Sequence, residues 1–429
     1  MTKRRLAAIV VLSIFVHAGA AAAQVAGQGP ATSPPTGPQA TLEEGPEDSQ
    51  DAQEGDAPDW PGSFGVDGLN TRFAIGGFAQ LDVIHDTDAI GADCQFITST
   101  IVTRNPTKAD GADGKTNFCV GQSRLWFETR TPTSFGRVRT YIEIDFFGDA
   151  LGTTPEPRLR QAYGEVTGVL FGGDLLAGQT WSTFTDVGAW PDILDFEGPS
   201  NAIVVRQPMV RWTRSVSTNT AVQLAAETPG AHNMVGADGN DVDSLTRWPD
   251  FVAVTKWSPG GAQLNGAAIL RDLRASADDG PTASTLGWGF SGSGKVPLPF
   301  LSAEDNLTFQ FSYGEGIAGY FADAAPDAVL NTTDSRLERI PRRGGYVSYE
   351  HFWTSQVSST LVAGRTVVSN LDIQPDDALR TSAYFSLNLL WRPISSVLFG
   401  GEFMRGWRED KDGAWGDDNR VQISGRVSF

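Results

Sequence analysis

Histidine, cysteine and lysine are scarce in this chain, and long apolar runs are missing. It has four histidines and two cysteines in 429 residues. Beyond its first residues, no run approaches the roughly 18 apolar residues of a membrane-spanning helix. That excludes a helical anchor in the body of the chain. No G-x-S-x-G and no H-E-x-x-H occurs, so two common catalytic signatures are absent. Lysine accounts for 6 of the 33 basic residues and arginine for 27. Arginine presents a fixed fork that suits carboxylates, and lysine does not. The formal net charge is −18. A chain this acidic is not drawn to nucleic acid or anionic lipid by its overall field.

The chain opens with a secretion signal, residues 1–23. Lys3, Arg4 and Arg5 precede the short apolar core Leu6–Val16, and Ala21-Ala22-Ala23 fits cleavage before Gln24. A membrane anchor is the alternative, and the short core argues against it. Cleavage removes three positive charges and shifts the net charge to −21. Residues 24–70 read as a disordered, acidic, proline-rich segment. Between Gln24 and Trp60 there are eight acidic residues and no basic one. Such a stretch cannot bury enough apolar surface to offset ordering entropy. No heptad pattern is visible in it. Cys94 and Cys119 flank one long polar segment of an exported chain. A disulfide closing it is the reading, worth roughly 3 kcal/mol by loop entropy. Two free thiols or a metal pair are the alternatives, and two cysteines without a nearby histidine make a poor metal site.

From residue 71 the hydropathy period is two. Phe73, Ile75, Leu81 and Val83 alternate with Gln80 and Asp82. Val138, Ile142 and Ile144 alternate with Arg137, Arg139, Glu143 and Asp145. The last segment runs Val421, Ile423, Gly425, Val427 against Gln422, Ser424, Arg426. One face is greasy and the other wet. About sixteen such segments can be placed, from 71–84 to 419–429. Long connections follow many odd-numbered segments (85–118, 182–201, 228–249, 316–343), and short ones follow most even-numbered segments. This predicts an all-β fold, a transmembrane antiparallel barrel over residues 71–429 with both termini in the periplasm. Trp212, Trp257, Trp353 and Trp391 fall near the periplasmic ends of their strands, as a girdle would. A soluble sandwich of sixteen strands would need two domains, and no linker divides the region. Phe309, Phe311, Leu387, Ile423 and Val427 are predicted to face lipid, and Gln310, Asn388 and Gln422 the lumen.

The connection Ser182–Asn201 is too long for a hairpin turn and too apolar for an idle surface loop. Phe184, Trp190, Ile193, Leu194 and Phe196 need a packing surface, while Asp186, Asp192, Asp195 and Glu197 need water or cations. A loop folded into a wide, wet barrel meets both demands. Its acids are expected to point at lumen arginines.

The arginines carry the strongest chemical signal. Arg124, Arg130, Arg137 and Arg139 take the polar parity of two successive strands, and Arg158, Arg160, Arg206 and Arg211 lie on the next strands near the long loop. On the lipid face each would cost roughly 2–4 kcal/mol at mid-membrane, so they are expected to line the lumen. Ion pairing with Glu128, Glu143 and Asp145 and attraction of anions are compatible readings. Facings are ambiguous in Pro157–Val166, and Arg206 and Arg211 fall on opposite parities. A bulge, or Arg206 still lying in the loop, would resolve the second conflict. Gly287–Gly292 matches G-x-G-x-x-G but sits inside a period-two run with no helix after it, and reads as strand glycine. His351 is the one strand histidine that suits a barrel hydrolase, with Ser348 and Ser358 nearby in sequence.

GQSRLWFETRTPTSFGRVRTYIEIDFFG, PRLRQAYGEV and LLAGQTWSTFTD…PDILDFEGPSN…VRQPMVRW together resemble the DcaP-like porins of Gram-negative outer membranes, over roughly residues 121–214. The resemblance implies a sixteen-stranded trimeric porin whose fifth-to-sixth connection constricts the pore. It also implies passage of small anions such as dicarboxylates. The chain departs from members with an N-terminal coiled coil. The combined expectation is a passive channel for small anionic solutes, without cofactor, metal or nucleic-acid partner, in contact with outer-membrane lipid and lipopolysaccharide. A general porin of low selectivity, a barrel enzyme and a structural outer-membrane protein are the alternatives.

Overall fold

The computed structural model describes residues 60–103, 114–148, 154–229, 234–240, 242–276, 282–323 and 325–429. The signal and residues 24–59 of the acidic segment lie outside the described residues.

Sixteen antiparallel strands close into one barrel. They are β1 (Arg72–Asp86), β2 (Lys115–Cys119, resumed at Arg124–Thr133), β3 (Gly136–Asp145), β4 (Arg158–Leu170), β5 (Gly173–Trp181), β6 (Arg206–Ser217), β7 (Thr220–Glu227) and β8 (Asp250–Trp257). They continue as β9 (Gln263–Ser276), β10 (Thr282–Pro297), β11 (Asn306–Glu315), β12 (Pro341–Thr354), β13 (Val357–Val368), β14 (Leu379–Ile394), β15 (Val397–Asp410) and β16 (Trp415–Ser428). Each pairs with its sequence neighbour, and β16 closes on β1 from Phe78↔Ser428 to Asp86↔Arg420. Closure pairs every strand edge, which lipid requires because it offers no hydrogen bonds.

Side-chain alternation decides the facing. Leu387 and Ile423 are 49% and 61% exposed on the outer wall, while Asn388 and Gln422 are 4% and 1% exposed inside. Phe311 and Val427 are exposed outside, and Phe309 shares the outer face of Phe311 with rings 5.9 Å apart. Gln310 is buried inside. Trp257, Trp353 and Trp391 are exposed at the ends of β8, β12 and β14.

The segment before β1 differs from expectation. Disorder was predicted through residue 70, but Trp60 and Ser63–Gly65 contact the barrel. Phe64–Gly65 pairs with the start of β1, Phe64 stacks on Phe73, and Trp60 covers the Arg130 guanidinium at 4.1 Å. Two aromatics, Trp60 and Phe64, make these ring contacts.

The core lies inside the barrel and is built by inward loops. Phe184 and Ile203 of the loop after β5 pack with Ile317, Tyr320 and Phe321 of the loop after β11, against Val252 and Ile269 of the wall. Asp323 knots the loops together. Its carboxylate accepts from Thr98 Oγ1 (2.8 Å), the Asn201 N–H (3.0 Å), Thr366 Oγ1 (2.7 Å) and Ser382 Oγ (3.0 Å). The G-x-G-x-x-G run serves this packing. A Cβ on Gly289 would lie 2.7 Å from Ile317, so glycine leaves room for the incoming loop. Cys94 and Cys119 are joined in a disulfide with Cα atoms 5.9 Å apart.

Candidate constriction site

The loop of residues 182–205 crosses the lumen. Its start is held on β7, where Glu227 accepts from Ser182 Oγ and the Thr183 N–H, both at 2.7 Å. Its middle reaches the far wall. The Leu194 N–H donates to Glu402 of β15, and the Leu194 carbonyl accepts from Gln122 (2.9 Å) and from Gln422 of β16 (3.1 Å). The Ala189 carbonyl accepts from Tyr346 of β12 at 3.0 Å, and the Asn201 carbonyl from Gln310 of β11 at 2.7 Å. These bonds satisfy backbone groups that water would otherwise have to reach. Trp190 is buried under Gly198, and Phe196 packs on Phe147 with centroids 4.3 Å apart.

The loop acids do not form the expected direct pairs with the predicted arginines. Asp192 pairs instead with Arg392 of β14, both carboxylate oxygens accepting from Nη2 at 2.7 and 2.9 Å. Asp186 accepts from Ser293 at 2.6 Å. Asp195 caps the N–H groups of Phe96 (3.2 Å) and Gly198 (3.1 Å). Local turn geometry places Asp195 on backbone donors, which a parity argument does not register. Glu197 feels Arg206 and Arg158 only through space. Burial, then the negative charge of Asp195, pushes its carboxyl up to about 7. Burial likewise moves Asp195 up to about 6.

The structure divides the predicted arginines into two levels. The upper level holds Arg124, Arg158, Arg160 and Arg206. Arg158 clasps Asp145 bidentately at 2.7 and 2.9 Å, and Arg160 bonds Glu143 and Asp145. Arg124 lies 4.0 Å from Glu143. Arg206 stacks on Trp181 at 4.7 Å, and among the described residues no carboxylate comes within 4.0 Å of it. Buried nitrogens of Arg124 (Nε) and Arg206 (Nη1) lack a hydrogen-bond partner among the described residues. The lower level is one register row: Arg72↔Arg130, Arg130↔Arg139, Arg139↔Glu165, Glu165↔Leu176, Leu176↔Arg211. Glu128 is clasped there by Arg139 and bonded by Arg130 at 2.7 Å. Arg137 is exposed at the periplasmic end of β3. Arg124 and Arg130 lie six residues apart on β2, about 20 Å along the strand, so one small solute meets one level at a time.

The facing conflicts resolve locally. On β4, Leu159 pairs with Ile144 and Gln161 with Glu143, which leaves Arg160 as an extra residue. That bulge turns Arg158, Arg160 and Gln161 all inward. Arg206 is the first residue of β6, opposite Trp181 at the end of β5, and bends in where regular pleating stops.

A sequence model of the DcaP outer membrane protein family matches residues 69–429. The chain belongs to the DcaP outer membrane protein family. Among solved structures, the outer membrane channel DcaP of Acinetobacter baumannii has a TM-score of 0.72 at 20% identity, covering 86% of this chain and 100% of that one. An anion-selective porin from Comamonas acidovorans has a TM-score of 0.56 at 9% identity, covering 84% and 100%. OprB of Pseudomonas putida has a TM-score of 0.51 at 11% identity, covering 83% and 94%. At these identities the likeness is one of fold. No curated protein sequence matches. This DcaP-family chain is an outer-membrane porin barrel of the Gram-negative type.

Sequence reasoning missed Arg426 of β16, which bonds Gln80 at 2.6 Å and covers Phe78 beside Arg124. Its polar parity was legible, but its closeness to β2 appears only on closure. The hydrolase geometry does not assemble. His351 lies on the outer face, bonded to Asp305 at 2.9 Å, while Ser348 and Ser358 are buried on the inner face.

Proposed function

We propose that this porin conducts small anionic solutes by passive diffusion and favours dianions such as dicarboxylates. The carrying observation is the surplus of guanidinium at the upper level. Arg124, Arg158, Arg160 and Arg206 share Glu143 and Asp145, and Arg206 has no direct acid partner among the described residues. Narrow passages are governed by nearest charges, because low-dielectric walls focus their field. Acidic residues in the N-terminal segment are screened beyond about 8–10 Å. A guanidinium fork holds a carboxylate by two parallel bonds, and lumen water keeps the hold weak enough for release. No reaction is required of any residue, so the reading is a channel and not an enzyme. A homotrimer fits the outer wall of β1–β5. Gly77, Ala79, Thr129, Thr140, Ala162, Gly164 and Ala177 make it smaller and less greasy than the opposite wall. A trimer form is known for OmpT of Vibrio cholerae, a fold relative with a TM-score of 0.51.

Reversal potentials in a KCl gradient test the proposal. Wild type should favour chloride, R158E/R206E should invert the preference, and R139E/R211E should shift it less. Succinate should block chloride current more strongly than acetate. A wild-type channel that favours potassium overturns the anion reading and leaves a general porin.

A further inference from the structure

The outer wall carries basic residues that the pore does not use. Near the extracellular rim most are paired. Arg339 bonds Glu315 at 3.0 Å, Arg405 bonds Asp417 at 2.9 Å, and Arg380 lies 3.6 Å from Glu409. Arg343 of β12 and Arg365 of β13 are exposed on that wall, and no carboxylate comes within 4.0 Å of either among the described residues. They are close to each other. Arg343 pairs with Val367 and Arg365 with Gly345, so the two are diagonal neighbours on one face. Diagonal neighbours lie about 7–8 Å apart. Two like charges at that spacing repel, and on a lipid-facing wall each costs free energy that grows toward mid-membrane.

Their depth can be read from the aromatics. Arg343 pairs with Tyr313, which is exposed and packs edge-on against Trp288 at 5.5 Å. Trp353 is exposed at the periplasmic end of the same strand. Roughly ten residues at about 3.3 Å, tilted by about 40°, put Arg343 about 25 Å above Trp353. That is the height of the apolar band, so the pair sits at the outer-leaflet interface.

We propose that Arg343 and Arg365, with Tyr313 beside them, form a binding site for a phosphorylated glycolipid of the outer leaflet. A phosphate bridging two guanidinium forks removes their repulsion and forms charge-assisted bonds. Its acyl chains would lie along Phe311, whose ring covers Gly345 beside Arg365, and along Leu361. The site lies on β11–β13, across the barrel from the small-residue wall of β1–β5.

The test uses the full-length protein in detergent, titrated with bis-phosphorylated lipid A and with the dephosphorylated lipid by native mass spectrometry. Wild type should bind the phosphorylated form at least about tenfold more tightly than R343Q/R365Q does, the factor expected from losing charge-assisted bonds. The dephosphorylated lipid should bind both proteins equally. R343K/R365K should keep most of the binding. Heat-modifiable migration and unchanged single-channel conductance establish that each variant is folded. Equal binding of both lipids by wild type would overturn the proposal. So would undiminished lipid A binding by folded R343Q/R365Q, or a change of subunit number in that variant without lipid loss, which would assign the pair to a protein contact.

Discussion

Two halves of the same lumen use arginine in opposite ways. On the side of β7–β16, Arg271, Arg342 and Arg420 are at most 1% exposed, and each has its own acid. Arg271 bonds Asp250 and Asp327 at 3.0 and 2.9 Å, Arg342 pairs with Asp323, and Arg420 with Asp86. Loops cover these pairs, so they act as struts between the inward loops and the wall. On the side of β2–β6, Arg160 is equally buried and paired with Glu143 and Asp145, but Arg158 and Arg206 are only half-buried and carboxylates are outnumbered. The same residue type is a strut where acid and burial match it, whereas Arg206 carries a charge that no carboxylate among the described residues pairs. A buried strut is costly to break because its partner is left charged and dry.

Substitutions can break or sharpen this contrast. The largest effect is expected for R271A, which strands Asp250 and Asp327. It should destabilise the barrel by about 3–5 kcal/mol, read as a lower urea midpoint of the heat-modifiable form. R206A should cost less than about 1 kcal/mol of stability while reducing chloride preference. Equal destabilisation by both variants would erase the distinction. Next in size is removal of Ala189–Asp195, which deletes the bonds to Tyr346, Arg392 and Glu402. Conductance should rise, and an unchanged value in a folded variant would place the narrowing elsewhere. The smallest effect concerns pH. Glu197 faces Asp195, Arg206, Arg158 and Asp323, and ionises near 7. Below that value it is neutral and the arginine level is more positive; above it, one negative charge is added. Chloride preference should therefore fall as pH rises from 6 to 8, and E197Q should flatten the profile. A wild-type profile that rises over that range would give Glu197 the wrong sign.

Parity made the barrel legible. All sixteen strands fall where period two and connection length place them, and the inward loop follows from its mix of aromatics and acids. The site was legible only in part, because a strand pattern states facing but not height. That Arg130, Arg139 and Arg211 share one row, and Arg124, Arg158, Arg160 and Arg206 another level, follows from register and from one bulged residue. Partners of the loops were not legible at all. Asp323 meets Thr98 across 225 positions and Asn201 across 122, and no local rule reports such contacts.

The seam between β1 and β16 has a consequence for biogenesis. Arg426 bonds Gln80 across 346 positions, so a growing or truncated chain has nothing with which to complete its first strand. Until the last hairpin arrives, both margins of the sheet expose unpaired peptide groups that invite association with other chains. Such non-local pairing is also intrinsically slow. A chain without β16 leaves that edge of β1 unpaired, and the barrel does not close.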